Sequence, residues 1–174
     1  MIIESTNTVH QPIDVVFDLL KNNISDLVPY LPNVDKIEEK SRNKKGKKED
    51  VISTWTARAD MPSILKKIAK PDLFSWDDIA TWDLEKKKVT YRLESKLASN
   101  LYTATGENKL VAIDENTTEM IFTCEVTPHP ENFPGVPKIL AKKIVPALEG
   151  VIRVLLEPNF SSMNEGIKEY FENK

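Results

Sequence analysis

Few residues in this chain have the types and spacing that chemistry requires. The two histidines, His10 and His129, stand at strand ends far apart in sequence. Neither has a cysteine or carboxylate at metal-ligand spacing, so both read as surface histidines. The single cysteine, Cys124, excludes an internal disulfide and a cysteine-rich zinc site. With no base beside it to make a thiolate, it reads as a small buried hydrophobe. The signatures G-x-S-x-G and H-E-x-x-H are absent, as are glycine-rich phosphate and dinucleotide loops. Five glycines leave little material for such loops. No catalytic residue, metal or cofactor is assigned.

Two polar residues interrupt apolar alternation. Asp78 stands among Phe74, Trp76, Ala80 and Trp82, so strict alternation points it at an apolar face. A buried carboxylate needs a partner or a raised pKa, and would serve as an anchor for a ligand's polar end or as an acid/base group. The blander expectation, and the favoured one, is a bulge at Asp77–Asp78 that turns the side chain to solvent. Asn108 similarly interrupts Ala104, Gly106, Leu110 and Ala112. It would fix a ligand carbonyl or make an ordinary structural hydrogen bond. Around them Trp55, Trp76, Trp82, Tyr91, Tyr102 and Phe122 are expected to share one face, lining a cavity or filling a core. Ala104, Met120, Leu148 and Ile152 complete the expected lining.

A basic run, Lys40, Arg42, Lys44, Lys45, Lys47 and Lys48, is followed further on by Lys66, Lys67 and Lys70. Such patches dock on anionic lipid headgroups, with Lys44, Lys45, Lys47 and Lys48 as the contact residues. Against this, Glu38, Glu39, Glu49 and Asp50 flank the run, and solvated hairpin tips are commonly lysine-rich.

The elements that must position these residues follow from periodicity. Ile2 to His10 alternates as a strand. Pro12 suits the first position of a helix whose Ile13, Val16, Phe17 and Leu20 share a face. A second short helix starts near Ser25–Asp26 and is kept short by Pro29 and Pro32. Strands follow at 34–42, 49–59, 74–84, 89–95, 101–113 and 117–127, with a six-residue polar tip at 43–48 and a helical turn at 62–69. From Val136 the period becomes helical to the end, with a bend or break expected near Pro158. No repeat or linker appears, so residues 1–174 read as one α+β domain.

Composition bounds the rest. A chain that is 40% hydrophobic and 29% charged is ordinary globular material, and 24 basic against 27 acidic residues give a net charge of -3, which excludes a nucleic-acid polyelectrolyte. Met1-Ile2-Ile3-Glu4 lacks the basic start of a secretory signal, and no window reaches about 18 uncharged apolar residues. The cytoplasm is the expected compartment.

The stretch Gln11-Pro12-Ile13-Asp14-Val15-Val16-Phe17-Asp18-Leu19-Leu20, followed by Tyr30-Leu31-Pro32-Asn33-Val34, resembles the opening of START-like, Bet v 1-like (SRPBCC, helix-grip) domains. The likeness extends over the whole chain as a topology. A second block, Met61-Pro62-Ser63-Ile64-Leu65-Lys66-Lys67-Ile68 with the Trp-rich hairpin after it, is similar to PRELI-like phospholipid-transfer proteins. The resemblance implies a curved antiparallel sheet of about seven strands gripping a long C-terminal helix, with a cavity between them. It implies binding or carriage of a lipid or other hydrophobic small molecule. The alternatives are an enzyme like the superfamily's polyketide cyclases and aromatases, or an interaction module whose cavity is filled by its own side chains.

Overall fold

Residues 1–58, 75–96, 102–132 and 138–173 are described by the structure, a computed structural model. The strands are β1 (Ile2–Val9), β2 (Val34–Lys45), β3 (Lys48–Ala57), β4 (Ser75–Asp83), β5 (Lys88–Ser95), β6 (Tyr102–Asp114) and β7 (Thr117–Pro128). They form one seven-stranded sheet in the order β1-β7-β6-β5-β4-β3-β2, antiparallel throughout. Consecutive strands from β2 to β7 are neighbours, and the connections at 46–47, 84–87 and 115–116 are short. Only β1 pairs with a strand distant in sequence, placing Ile3 opposite Cys124.

The polar tip expected at 43–48 is instead mostly ladder. Asn43 pairs with Asp50, Lys44 with Glu49 and Lys45 with Lys48, so only Gly46 and Lys47 turn the chain. Gly46 has φ of 61°. Glycine at the first central position permits the two-residue turn whose twist matches the strands, and this extends the pairing.

Helix α1 (Ile13–Asn22) buries Val16, Phe17, Leu19 and Leu20. Pro12 lies one residue before its first turn, and its carbonyl accepts from the amides of Val15 at 3.0 Å and Val16 at 3.1 Å. The second short helix is a 3-10 helix, Ile24–Tyr30, with Pro29 inside it. Helix α2 (Lys138–Glu172) is one element of 35 residues that runs through both Pro146 and Pro158. The expected break at Pro158 does not occur, because a proline removes one hydrogen bond and leaves the turns on either side intact. The last turns of α2 dock on the 3-10 helix. Ile167 is fully buried, the Tyr170 hydroxyl donates to Asp26 Oδ2 at 3.2 Å, and a Cβ at Gly166 would come within 2.9 Å of the Tyr30 Cβ.

Apolar residues of the inner sheet face fall into two clusters. The larger joins α1, the 3-10 helix and the end of α2 to β2–β7, and includes Phe17, Leu31, Trp82, Met120 and Phe122. The smaller comprises Ile3, Ala104, Cys124 and Val126, with Leu93 and Tyr102 against it. Tyr91 packs against both. The expected helical turn at 62–69, and with it the Met61–Ile68 block, lies outside the described residues. Among the described residues no helix is long and apolar enough to cross a membrane.

Candidate functional site

Cross-strand register defines the site before any side chain is considered. Ser53, Asp78, Leu93, Ala104 and Val126 lie level across β3–β7. One step towards the ends of β2 and β3 at Gly46, Val51, Ala80, Tyr91, Gly106 and Cys124 lie level, and one step the other way Trp55 faces Trp76. All point to the same face, since side chains two apart share a side. Over the β3–β6 part of this face lies a cavity of about 280 Å³.

Its sheet wall includes Trp55, Trp76, Asp78, Trp82, Tyr91, Asn108 and Phe122. These are the cavity residues the sequence proposed from the sheet, and the fold brings them together. All three tryptophans of the chain are among them. Trp55 and Trp76 stack with ring centroids 6.1 Å apart and planes 21° from parallel. Trp82 meets the edge of Phe17 at 5.3 Å, which ties α1 to the sheet.

Three proposed residues sit elsewhere. Tyr102 and Ala104 pack in the smaller cluster, and Met120 is fully buried in the larger core. Each points to the inner face, with Ala104 and Met120 buried and Tyr102 half-buried. Burial pushes the Tyr102 hydroxyl up to about 12, with Cys124 adding to the effect. The side chains of Leu148 and Ile152 lie outside the described residues.

Other lining residues were not singled out by sequence. Phe17 and Leu20 of α1, Leu31, and Val34 and Ile37 of β2 also line the cavity. The apolar stripe of α1 was legible, but periodicity does not say which space a stripe faces. Polar lining comes from Lys21, Glu39, Lys87 and Lys88. There the buried Glu49 accepts from Lys21 at 2.7 Å and from Arg42 at 3.0 Å. Arg42 also donates to Glu39 at 2.7 Å and to the Lys21 carbonyl at 3.0 Å, clamping α1 to β2 and β3. The Lys21 hydrogen bond, against burial and with help from Arg42, holds the Glu49 carboxyl below its usual range.

Asp78 contrasts with this. The β3–β4 and β4–β5 registers run unbroken through Asp77 and Asp78, so the expected bulge is absent and alternation holds. Asp77, on the outer face, takes the partners: Thr54 donates to it at 2.6 Å and Lys96 at 2.5 Å. With one acid satisfied outside, the other turns inward. Asp78 Oδ1 is buried without a hydrogen-bond partner, and burial pushes its carboxyl from 3.8 up to about 7. The Asn108 Oδ1 and Trp55 Nε1 atoms are also buried without partners. All three residues line this cavity.

Tyr91 shapes the back wall. Its ring crosses Gly106, and its hydroxyl donates to the Thr123 carbonyl at 3.0 Å. A Cβ at position 106 would collide with both the Tyr91 ring and that carbonyl, so glycine is required there. Burial raises the Tyr91 hydroxyl and the Cys124 thiol above their ordinary values.

The remaining residues lie away from the cavity. The His129 ring makes a 2.8 Å hydrogen bond with the Thr103 hydroxyl at the far end of β6. Among the described residues no group of three or more histidines, cysteines or carboxylates could hold a metal ion. The hairpin lysines are exposed but divided: alternation sends Lys44 and Lys45 to opposite faces, and Lys47 pairs with Glu85 at 2.5 Å.

A strongly bent sheet gripping a C-terminal helix, with a cavity on the gripped face, defines a class of known structures. Zhui aromatase/cyclase from Streptomyces sp. R1128 superposes with a TM-score of 0.70 at 15% identity, over 99% of this chain and 94% of that one. Norcoclaurine synthase from Thalictrum flavum gives 0.63 at 13% identity, over 100% and 87%. Ara h 8.0201 gives 0.53 at 15% identity, over 100% and 99%. No protein-family model matches the chain. No curated protein matches it in sequence. The chain has the helix-grip fold that these structures share. Structures with that fold include an aromatase/cyclase and a synthase, so the fold alone does not select a ligand.

Proposed function

We propose that the protein binds a compact, mostly apolar small molecule with polar substituents in the cavity over β3–β6. One observation carries this. Among the described residues, each of the three buried side-chain polar atoms without a partner, on Trp55, Asp78 and Asn108, belongs to a residue lining one cavity that all three tryptophans share. Unmade buried hydrogen bonds cost about 1–3 kcal/mol each, so a site that keeps them is complementary to something that makes them. The volume of about 280 Å³ suits a ring-bearing body better than a two-chain lipid, since drug-sized ligands occupy roughly 300–1,000 Å³. Open space also weighs against an interaction module with a filled interior.

The cyclase-like alternative is less well supported. Acid/base catalysis needs two polar groups in reach of one reacting atom. Asn108 lies level with Trp82, four residues along β4 from Asp78. At ~3.3 Å per residue that is roughly 13 Å along the strand, which suits two ends of a bound molecule.

The tryptophans supply the test. Titration with the neutral probe 4-biphenylmethanol should quench or shift the tryptophan emission, and saturating probe should raise Tm by mass action. The heat-capacity change on binding should be negative. Unchanged emission and unchanged Tm would overturn the reading.

A further inference from the structure

The charge of the cavity narrows what it accepts. Among the described residues five charged side chains line it: Lys21, Glu39, Asp78, Lys87 and Lys88. Four are matched within the chain. Lys21 pairs with Glu49 at 2.7 Å, Glu39 with Arg42 at 2.7 Å, Lys87 with Asp14 at 2.6 Å and Lys88 with Glu107 at 2.6 Å. Asp78 has no ion-pair partner among the described residues, and its Oδ1 has no hydrogen-bond donor. An ionised carboxylate in that position leaves a net negative charge inside an apolar enclosure, which is expensive unless a cation arrives.

Its surroundings suit an organic cation rather than a metal ion. Along β4, Trp76 stands two residues before Asp78 and Ala80 two after, and Tyr91 lies opposite Ala80 on β5. Trp55 faces Trp76 and stacks on it, so aromatic residues neighbour Asp78 on its own face of the sheet. Hard metal ions need several oxygen ligands, and no carboxylate or histidine cluster is present among the described residues. Aromatic faces carry negative electrostatic potential and attract ammonium groups, above all where water is excluded. The further orphaned acceptor, Asn108 Oδ1, would take an N–H or O–H donor from the other end of the same molecule.

We propose that the cavity selects an apolar amine, whose ammonium group pairs with Asp78 over the Trp55, Trp76 and Tyr91 rings while its hydrocarbon body fills the space below Trp82. This rests on the reading that the cavity is a ligand site and names the ligand class. The order of affinities it implies is cation over neutral over anion, for one hydrocarbon body.

Three isosteric probes separate the possibilities by calorimetry at pH 8: 4-phenylbenzylamine, 4-biphenylmethanol and 4-biphenylcarboxylate. For wild-type protein the amine should bind at least about tenfold tighter than the alcohol, a ratio typical of a desolvated charge pair, and the carboxylate weakest. In Asp78→Asn the amine-to-alcohol ratio should collapse towards one. If the variant does not fold, the wild-type series decides alone. An alcohol that binds as tightly as the amine, or an amine preference that survives Asp78→Asn, overturns the proposal and leaves the cavity reading standing. If none of the three binds, the cavity reading fails and this proposal with it.

Discussion

Two carboxylates on β3 and β4 face the same side of the sheet and have opposite fates. Glu49 holds hydrogen bonds from Lys21 and Arg42, and its pKa falls. Asp78 has a buried oxygen with none, and its pKa climbs to about 7. They differ in donors and in desolvation: Lys21 and Arg42 offset burial at Glu49, while at Asp78 desolvation acts unopposed. Glu49 stands where α1 and β2 bring long basic side chains across the sheet. Asp78 stands where the neighbours are rings. The first carboxylate holds the fold closed at the edge of the cavity. The second leaves one bond of the cavity's interior unmade.

Linkage gives the two sites opposite pH signatures. The folded pKa of Glu49 lies below its unfolded value of 4.5, so its contribution is present at neutral pH and is lost as pH falls through the folded value. The folded pKa of Asp78 lies above its unfolded 3.8, so the native state keeps that proton longer. Stability from this group is present in acid and drains away as pH rises towards 7.

Breaking the contrast at Asp78 should have the largest effect. Asp78→Asn removes the charge but not the shape, and should stabilise the ligand-free protein at pH 8 by on the order of 3 kcal/mol. Urea denaturation at pH 5 and pH 8 measures this, with the gain clearly larger at the higher pH because the penalty builds between the unfolded and folded values. An equal gain at both would mean that burial of the charge is not the cause. Next in size, Glu49→Gln should cost about 1–3 kcal/mol at neutral pH, because Lys21 and Arg42 lose their shared acceptor. That loss should vanish in acid, where wild-type Glu49 is itself protonated.

The row that contains Asp78 sharpens the comparison spatially. Two strands further along it, Ala104 is buried, so Ala104→Phe should destabilise by about 1–3 kcal/mol through overpacking. It should leave probe affinity nearly unchanged, as thermal melts and probe titrations of the variant would show. The smallest effect belongs to Tyr91→Phe, about 1 kcal/mol, for a single hydrogen bond to the Thr123 carbonyl.

Much of this was legible in the chain, and the misses have physical causes. Two-residue periodicity put Trp76, Asp78 and Trp82 on one face, and unbroken pairing through β4 keeps them there. The bulge expected at Asp77–Asp78 rested on the cost of an inward acid. It overlooked Thr54 and Lys96, which satisfy the outward one and remove the reason for a bulge. Ala104 and Tyr102 share the correct face, but whether space beside them stays open depends on the packing of Val126 and of Ile3, the latter arriving from a strand far away in sequence. Arg42 read as part of a basic run, yet the fold turns it inward to two glutamates. Strand alternation is local. Cavity boundaries are not.

Gly106 governs the dimensions of a chamber it does not line. The Tyr91 ring lies flat only because nothing projects from β6 beneath it, and its hydroxyl is already committed to Thr123. Any side chain at 106 would tip the ring forward into the open space or force β6 back from it. Ligand size is therefore encoded twice: once in the residues a ligand would touch, and once in a hydrogen atom on the strand behind them. Remodelling the site for a larger or smaller guest would begin at that strand, out of the guest's reach.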